Sequence, residues 1–190
     1  MSEAEIVARV IDALERSRIP YMIVGAFSSN AFGISRATTD VDFVVSVDKG
    51  DLGRLMSALG DDFVLDRQMQ LETITSTIRN VVTHKLSKFE IELFRLSADA
   101  HHQESFRRRC RRHIEDVGRE AWMPTAEDVV IQKLRWQRRK DIDDAKNVLA
   151  VQYNNLDWAY LEHWAAIHQT LELLNELREE LSFLDLEEDS

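Results

Sequence analysis

The stretch that decides the fold is YMIVGAFSSNAFGISRATTDVDFVV, residues 21–45. Its first four residues are apolar and are followed by Gly25, a pattern that predicts a short buried strand turning directly into a helix. Residues 26–33 fit that helix, and Gly33 fits its end because glycine is the usual residue just past a helix. The stretch therefore begins with a strand–glycine–helix unit.

A second strand closes the same stretch. Residues 40–47 form a β-branched run with two acids, Asp40 and Asp42, at its beginning. Because side chains alternate between the two faces of a strand, both carboxylates project from one face. Two like charges this close destabilise each other unless a cation lies between them, and hard oxygen ligands suit Mg²⁺. The preceding helix offers backbone N–H groups that can bind phosphate. A metal site beside a phosphate site is typical of phosphoryl or nucleotidyl transfer.

The rest of the chain predicts an α+β fold. The hydrophobic periodicity upstream predicts a helix over residues 3–17. The segments predicted between the second strand and residue 122 are a helix over 51–59, strands over 63–65, 73–82 and 89–94, a helix over 99–107 and a hairpin over 111–122. The remaining segments are all helical, at 126–138, 140–152, 157–168 and 169–182. We expect a mixed-sheet core over residues 1–122 and a helical C-terminal subdomain over 123–190, packed on that core.

Composition excludes several classes of protein. The chain has 190 residues, 44% of them hydrophobic, which is enough for a sizeable core. Its net charge of −10 disfavours a protein that coats duplex DNA, because such proteins are basic. The lone Cys110 cannot form an internal disulfide, which suits a reducing compartment. With no signal-peptide pattern and no apolar stretch near the ~18 residues that span a bilayer, we expect a cytoplasmic protein with no membrane partner.

A third carboxylate is expected from a neighbouring strand. The predicted strand over residues 89–94 carries Glu90 and Glu92 on one face. This strand is otherwise apolar enough to be central, and unpaired buried charges are costly, so two acids on it indicate a function. An ordinary exposed edge strand is the alternative interpretation. From the residues alone, either glutamate fits the third position.

The arrangement resembles the nucleotidyltransferase superfamily related to DNA polymerase β. In that superfamily a strand–Gly–[Gly/Ser]–helix unit is followed about a dozen residues later by Asp-x-Asp, and a later strand supplies a third acid. Here Gly25-Ala26 and the Asp40-x-Asp42 motif are separated by thirteen residues. Ala26 departs from the pattern, since Gly or Ser is usual at that position.

Two further motifs are similar to a bacterial branch that includes the AbiEii and MenA toxins of toxin–antitoxin pairs. The first is the sequence motif Gly-x-x-Arg-x-Thr-x-Asp-x-Asp over residues 33–42. The second lies in residues 127–144, where a helix with Lys133 precedes an Arg-x-Lys-Asp-x-x-Asp pattern that ends at Asp144. The two blocks occur in the family's order, with the third acid between them.

The resemblance implies an enzyme that transfers a nucleoside monophosphate from an NTP to an acceptor hydroxyl and releases pyrophosphate. It implies Mg²⁺ or Mn²⁺ as cofactor, bound by Asp40, Asp42 and Glu92. Glu92 is preferred to Glu90 because residues 91–94 match the family's apolar-acid-apolar-apolar pattern. The resemblance also implies that Glu92 helps to deprotonate the acceptor hydroxyl.

The resemblance also implies residues that act on the nucleotide. Lys133 would contact its phosphates, and Asp144 would orient Lys133 or the sugar. The residues expected to bind the nucleotide are Gly25, Ala26, Ser28, Ser29, Arg36 and Lys133.

Three functions stay open at this point. The first is a toxin that modifies tRNA or protein and is bound by an antitoxin. The second is an enzyme that modifies a small hydroxylated molecule such as an aminoglycoside or lincosamide antibiotic. The third is a non-catalytic protein that binds a nucleotide or a partner, for which Ala26 is the main support. The arginine-rich run at residues 107–113 is either an RNA contact or a solvated face.

Overall fold

The computed structural model describes the backbone of residues 1–66, 68–74 and 76–188, and side chains as far as residue 181. The helices in these residues are α1 Glu3–Arg16, α2 Gly25–Phe32, α3 Asp51–Leu59, α4 Ala100–Arg108, α5 Ala126–Trp136, α6 Arg139–Gln152, α7 Trp158–Ile167 and α8 Leu171–Glu188. The strands are β1 Tyr21–Val24, β2 Asp40–Val45, β3 Phe63–Leu65, β4 Gln70–Glu72, β5 Thr77–His84, β6 Glu90–Arg95, β7 Cys110–Ile114 and β8 Arg119–Met123.

The chain divides into two compact units. The first comprises Met1–Ser28 and Ala37–Pro124, and the second comprises Ser29–Arg36 and Thr125–Ser190. The segment Ser29–Arg36 thus groups with the C-terminal helices, a grouping that no pattern in the sequence predicts. The division of the chain at residues 122 and 123 stays a prediction.

The first unit contains a mixed sheet with the strand order β1-β2-β6-β5-β3, and β4 also pairs with β5. Strands β2 and β6 run parallel, whereas the other pairs in this sheet are antiparallel. Strands β7 and β8 form a separate antiparallel pair. The α+β fold with a mixed sheet, expected from the order of helices and strands, is confirmed.

One predicted strand is wrong in its bounds. The expected strand over residues 73–82 begins instead at Thr77, and a short unpredicted strand, β4, precedes it. The Glu72 side chain accepts a hydrogen bond from the backbone N–H of Ile74 at 2.6 Å, and Ser76 has a φ of 52°. This left-handed backbone ends an extended run, so the Thr- and Ile-rich segment turns back to form a hairpin.

The core of the first unit lies on one face of this sheet. Alternate residues of β2, namely Val41, Phe43 and Val45, are buried among the apolar residues of that core. Helix α1 contributes a buried apolar stripe, and its N-terminus is closed by a capping box between Ser2 and Glu5. Because side chains alternate, the acids at the even positions of β2 project from the face opposite the core.

The second unit is helical and has its own core. The buried residues of that core include Val130, Leu134, Val148, Leu149, Leu161 and Leu174. Helix α5 begins as the sequence predicts, because the Thr125 hydroxyl accepts a hydrogen bond from the backbone N–H of Asp128 at 3.3 Å. Among the residues that the structure describes, none of the helices combines the length and the apolar character needed to cross a bilayer.

Candidate active site

Four carboxylates lie on one face of the sheet, where the parallel strands β2 and β6 begin. In the register of these strands Asp40 is opposite Glu90, and Asp42 is opposite Glu92. Register partners project from the same face, and neighbouring strands are about 4.8 Å apart. We call these four residues the carboxylate block. The structure thus brings the predicted residues Asp40, Asp42 and Glu92 to one face, together with Glu90.

The two aspartates of the block are fixed by contacts within the first unit. Thr38 Oγ1 donates a hydrogen bond to Asp40 Oδ1 at 2.7 Å. Asp42 is the register partner of Val24, and its carboxylate lies against Gly25. A Cβ atom at Gly25 would be 1.9 Å from Asp42 Oδ2, and Gly25 has a φ of +66°. Glycine is therefore required here both by the close approach and by the left-handed backbone.

Gly25→Ala is expected to lower the free energy of unfolding by about 3 kcal/mol, because it adds a steric clash to a backbone penalty. Gly118→Ala is the matched control, since Gly118 has a φ of +64° but nothing lies within 4 Å of its added Cβ. The control is expected to lose only about 1 kcal/mol. Urea unfolding measures both values. Equal losses for the two variants would contradict the clash with Asp42.

An arginine on the next strand holds Glu92. Arg79 of β5 donates hydrogen bonds from Nη1 to both carboxylate oxygens of Glu92, at 2.7 and 2.8 Å. The two side chains are 29% and 15% exposed, so water screens this pair only in part. Glu90, in contrast, is an exposed residue. The structure therefore distinguishes the two glutamates that the sequence left open, because Glu92 is the one tied to a cation beside the block.

The aspartate pair fits a hard divalent cation. Mg²⁺ takes one or two protein carboxylates and completes its shell with substrate phosphates and water. Asp40 and Asp42 offer such a pair from one strand face, and Gly25 leaves room for the second carboxylate. Glu92 differs from the two aspartates, because both of its oxygens accept hydrogen bonds from Arg79, and its role as a third metal ligand stays a prediction. In the described part of the chain, no group of three His, Cys, Asp or Glu side chains could hold a metal ion.

The first turn of α2 follows directly from β1 and begins with Gly25 and Ala26. Ser28 and Ser29 are buried, and Ser28 Oγ donates a hydrogen bond to the Gly25 carbonyl oxygen at 3.0 Å. Backbone N–H groups at the beginning of a helix are the usual phosphate donors. Any phosphate contact in this turn is therefore expected from the backbone, and the Ser28 hydroxyl is already used inside the helix.

The second unit holds a separate, buried ion cluster centred on Lys133. Lys133 Nζ lies 2.7 Å from Asp144 Oδ2 and 3.3 Å from Asp141 Oδ1. Arg36 donates to both carboxylate oxygens of Asp144, at 2.7 and 2.9 Å. Arg138 donates to both oxygens of Asp141, at 2.6 and 3.1 Å. Lys133, Asp141 and Asp144 are only 7%, 0% and 4% exposed. We call these five residues the Lys133 cluster.

Local structure places the residues of the Lys133 cluster. Asp141 and Asp144, three residues apart on α6, share one face of that helix. A tight turn at Gln137, which has a φ of 53°, reverses the chain between α5 and α6. The backbone of Arg36 is fixed by the Asn30 amide, which accepts from its N–H at 3.1 Å and donates to its carbonyl at 2.8 Å.

The Lys133 cluster combines predicted and unpredicted residues. The motif resemblance implied roles for Arg36, Lys133 and Asp144, and the structure places these three together. Arg138 and Asp141 are positions of the Arg-x-Lys-Asp-x-x-Asp pattern as well, but the resemblance gave them no role. The spacing of Asp141, three residues before Asp144, would have indicated a shared helix face. Arg138 precedes Asp141 by the same spacing, which the sequence also shows.

Residues 4–188 match the sequence model of a family described as nucleotidyltransferases of unknown function, DUF6036. The chain belongs to this family. The resemblance to nucleotidyltransferases is thereby confirmed at the level of the superfamily, whereas the AbiEii and MenA branch stays a prediction. No protein of curated function is significantly similar to the chain in sequence.

Solved nucleotidyltransferase structures share the fold of this DUF6036 protein. The crystal structure of ANT(2'')-Ia in complex with adenylyl-2''-tobramycin has a TM-score of 0.61 and 11% identity, covering 90% of this chain and 98% of that chain. The lincosamide antibiotic adenylyltransferase LnuA, bound to lincomycin, has a TM-score of 0.51 and 12% identity, covering 80% and 98%. An antigenic nucleotidyltransferase-like protein from Paracoccidioides brasiliensis has a TM-score of 0.57 and 17% identity, covering 96% and 94%. At these identities the likeness shows the fold alone.

In this DUF6036 nucleotidyltransferase, Asp144 is held in its charged form by two cations. Burial raises the pKa of the Asp144 carboxyl, but hydrogen bonds and charges from Arg36 and Lys133 outweigh burial and lower that pKa below its usual value. A lowered pKa in the folded state stabilises the fold above the unfolded-state pKa, which is about 3.9. The stabilisation is lost as the pH falls through the folded-state pKa.

Asp144→Asn is expected to cost about 2 kcal/mol of unfolding free energy at pH 7, because the amide still accepts hydrogen bonds but no longer balances Arg36 and Lys133. The difference from wild type is expected to shrink as the pH falls below about 4, where the Asp144 carboxyl of the unfolded chain becomes protonated, and to be lost once the pH has fallen through the lower folded-state pKa. Urea unfolding of both proteins at a series of pH values measures this difference in unfolding free energy. A difference that does not change with pH would contradict the lowered pKa.

The arginine-rich run at residues 107–112 forms ion pairs within the first unit. Arg107 contacts Glu104 one helical turn earlier on α4. Arg111 Nη1 lies 2.8 Å from Glu15 Oε1 on α1. In these pairs, carboxylates of the chain itself neutralise two arginine charges that could otherwise contact RNA phosphates. They favour the solvated-face interpretation of this run over an RNA contact.

Proposed function

We propose that the chain transfers a nucleoside monophosphate from an NTP to an acceptor hydroxyl and releases pyrophosphate. The observation that carries the proposal is the carboxylate block, in which Asp40 and Asp42 share one face of β2 and Glu92 lies opposite Asp42. Membership of a nucleotidyltransferase family supports an enzyme with an NTP substrate.

Asp40 and Asp42 would hold Mg²⁺ or Mn²⁺. When bound, the cation would offset the negative charge of the triphosphate and stabilise the charge that develops during transfer. The chain's own contribution is to keep the two carboxylates in place. The Thr38 hydroxyl holds the Asp40 carboxylate through a hydrogen bond. Gly25, which has no Cβ, leaves the space that the Asp42 carboxylate occupies.

Glu92 is proposed to accept the proton of the acceptor hydroxyl. The hydroxyl oxygen forms a bond to the α-phosphorus while the bond from that phosphorus to the pyrophosphate oxygen breaks. The strand order supports this role, because Gly25 follows β1 on one side of β2 and Glu92 stands on β6 on the other. Phosphate donors and base thus flank the aspartates, which suits an in-line displacement.

Arg36 and Lys133 are proposed to bind phosphates of the nucleotide. Both are cations, and guanidinium and ammonium groups are the usual side-chain partners of phosphate. Asp144 is proposed to orient them, which its contacts with both side chains support. The support for these roles is the similarity of residues 33–42 and 127–144 to the toxin branch.

We propose a small hydroxylated molecule as the acceptor. The support comes from structural neighbours, since LnuA is a lincosamide antibiotic adenylyltransferase and ANT(2'')-Ia was solved with adenylyl-2''-tobramycin. A toxin that acts on tRNA or protein and binds an antitoxin is the alternative, and it rests on the similarity of residues 33–42 and 127–144 to the toxin branch.

Calorimetric titration with each of the four NTPs, in Mg²⁺ and again in EDTA, tests the proposed function. We expect at least one NTP to bind in Mg²⁺, and binding to be lost in EDTA because the aspartate pair then repels the triphosphate. Incubation with that NTP and a panel of hydroxylated compounds should then release pyrophosphate. Binding that is indifferent to metal, or no binding to the folded chain, would contradict the proposal and favour a non-catalytic protein.

A further inference from the structure

Arg79 is a cation that contacts the carboxylate block within the first unit. Its Nη1 donates to both oxygens of Glu92, and its Nη2 donates to Gln70 Oε1 on β4. The guanidinium is thus held between β4 and β6, with the Arg79 side chain 29% exposed. An arginine fixed at both ends of its guanidinium is a defined structural element rather than a loose surface charge.

The position of Arg79 bears on how the block binds a cation. Asp42 and Glu92 are register partners on adjacent parallel strands, so a metal beside Asp42 would also attract the Glu92 carboxylate. In the structure that carboxylate is already paired with Arg79. Arg79 offsets the charge of Glu92 and occupies a lone pair on each of its oxygens, so Arg79 and a metal ion compete for this carboxylate.

We propose that Arg79 is a positioning residue that keeps Glu92 away from the metal held by Asp40 and Asp42. The divalent cation is then held by the two aspartates, and Glu92 stays beside them, paired with Arg79. The inference rests on the proposed function in one respect, namely that the aspartates are the metal ligands.

Binding of Mn²⁺ alone to the full chain tests the inference. It is measured by calorimetry and by the electron paramagnetic resonance of Mn²⁺. Arg79→Met is expected to bind Mn²⁺ about tenfold more tightly than wild type, because Glu92 becomes available as a ligand. Arg79→Lys is expected to behave like wild type, since the ammonium keeps the charge. In the Glu92→Gln background, Arg79→Met is expected to change the affinity little.

Arg9→Met is the matched control for loss of one positive charge. Arg9 Nη1 lies 2.9 Å from Asp62, its side chain is 32% exposed, and neither residue belongs to the block. Unchanged or weaker Mn²⁺ binding in Arg79→Met would overturn the inference, as would a gain that also occurs in Arg9→Met or persists in the Glu92→Gln background. Failure of the proposed function is distinguishable, because Asp42→Asn would then leave Mn²⁺ binding intact.

Discussion

Asp42→Asn is expected to weaken metal-dependent NTP binding at least about 100-fold, because it removes one of two metal-binding carboxylates while keeping the shape of the side chain. Without metal, the free energy of unfolding of this variant is expected to exceed that of wild type by about 0.5–1 kcal/mol. Four carboxylates share one sheet face, and removing one relieves repulsion. Asparagine also fits the space beside Gly25, so loss of binding would not reflect a steric defect.

Glu90→Gln is the control for this variant. Glu90 lies on the same face, opposite Asp40, but it is exposed and Arg79 does not hold it. Its substitution is expected to change NTP affinity by less than about threefold, because an exposed charge is screened. Calorimetry in Mg²⁺ and urea unfolding in EDTA give the two readouts. If Asp42→Asn retained affinity, or if Glu90→Gln lost as much, the assignment of the metal ligands would be wrong.

Asp141→Ala is expected to lower the free energy of unfolding by about 4 kcal/mol, the largest stability loss we expect for any substitution considered. Asp141 is fully buried and accepts hydrogen bonds from both Lys133 and Arg138. Removing one member of a buried ion pair leaves its partner desolvated and uncompensated, which costs about 3–5 kcal/mol. Urea unfolding followed by tryptophan fluorescence measures the effect.

Lys146→Met is the matched control for Asp141→Ala in the second unit. Lys146 Nζ lies 2.6 Å from Glu180 Oε2, but both side chains are well exposed. Exposed ion pairs contribute about 0–1 kcal/mol, so this variant is expected to lose less than about 0.5 kcal/mol. A loss below about 1 kcal/mol in Asp141→Ala would show that water reaches the cluster, and would contradict its burial.

Much of the fold could be predicted from the sequence because local patterns determine it. The apolar run before Gly25 predicts β1, and the periodicity of the first seventeen residues predicts α1. The strand β4 was missed because it has three residues and its pairing depends on a turn set by Ser76 and the Glu72 side chain. Such a turn has no glycine or proline to mark it in the sequence.

The candidate site was predictable where side-chain spacing decides it. Alternation along β2 predicts that Asp40 and Asp42 share a face. The parallel register that places Glu92 opposite Asp42 joins distant parts of the chain, and the contact of Arg79 with Glu92 depends on a further strand pairing. No local pattern carries such information. Burial of Asp141 likewise follows from the packing of α5 and α6, so the sequence placed Asp141 in the Arg-x-Lys-Asp-x-x-Asp pattern without indicating that its side chain is buried.

The parallel pairing of β2 with β6 also has a kinetic consequence. Forty-four residues, from Ser46 to Phe89, separate these strands along the chain. Closing so long a loop costs chain entropy before any contact between the strands is gained, whereas the hairpin of β4 and β5 closes locally. During refolding, the neighbourhood of Asp42 and Glu92 therefore forms only with the non-local collapse of the sheet. A nascent chain that has not yet emerged beyond Arg95 carries both aspartates but has no completed β6 to pair with β2.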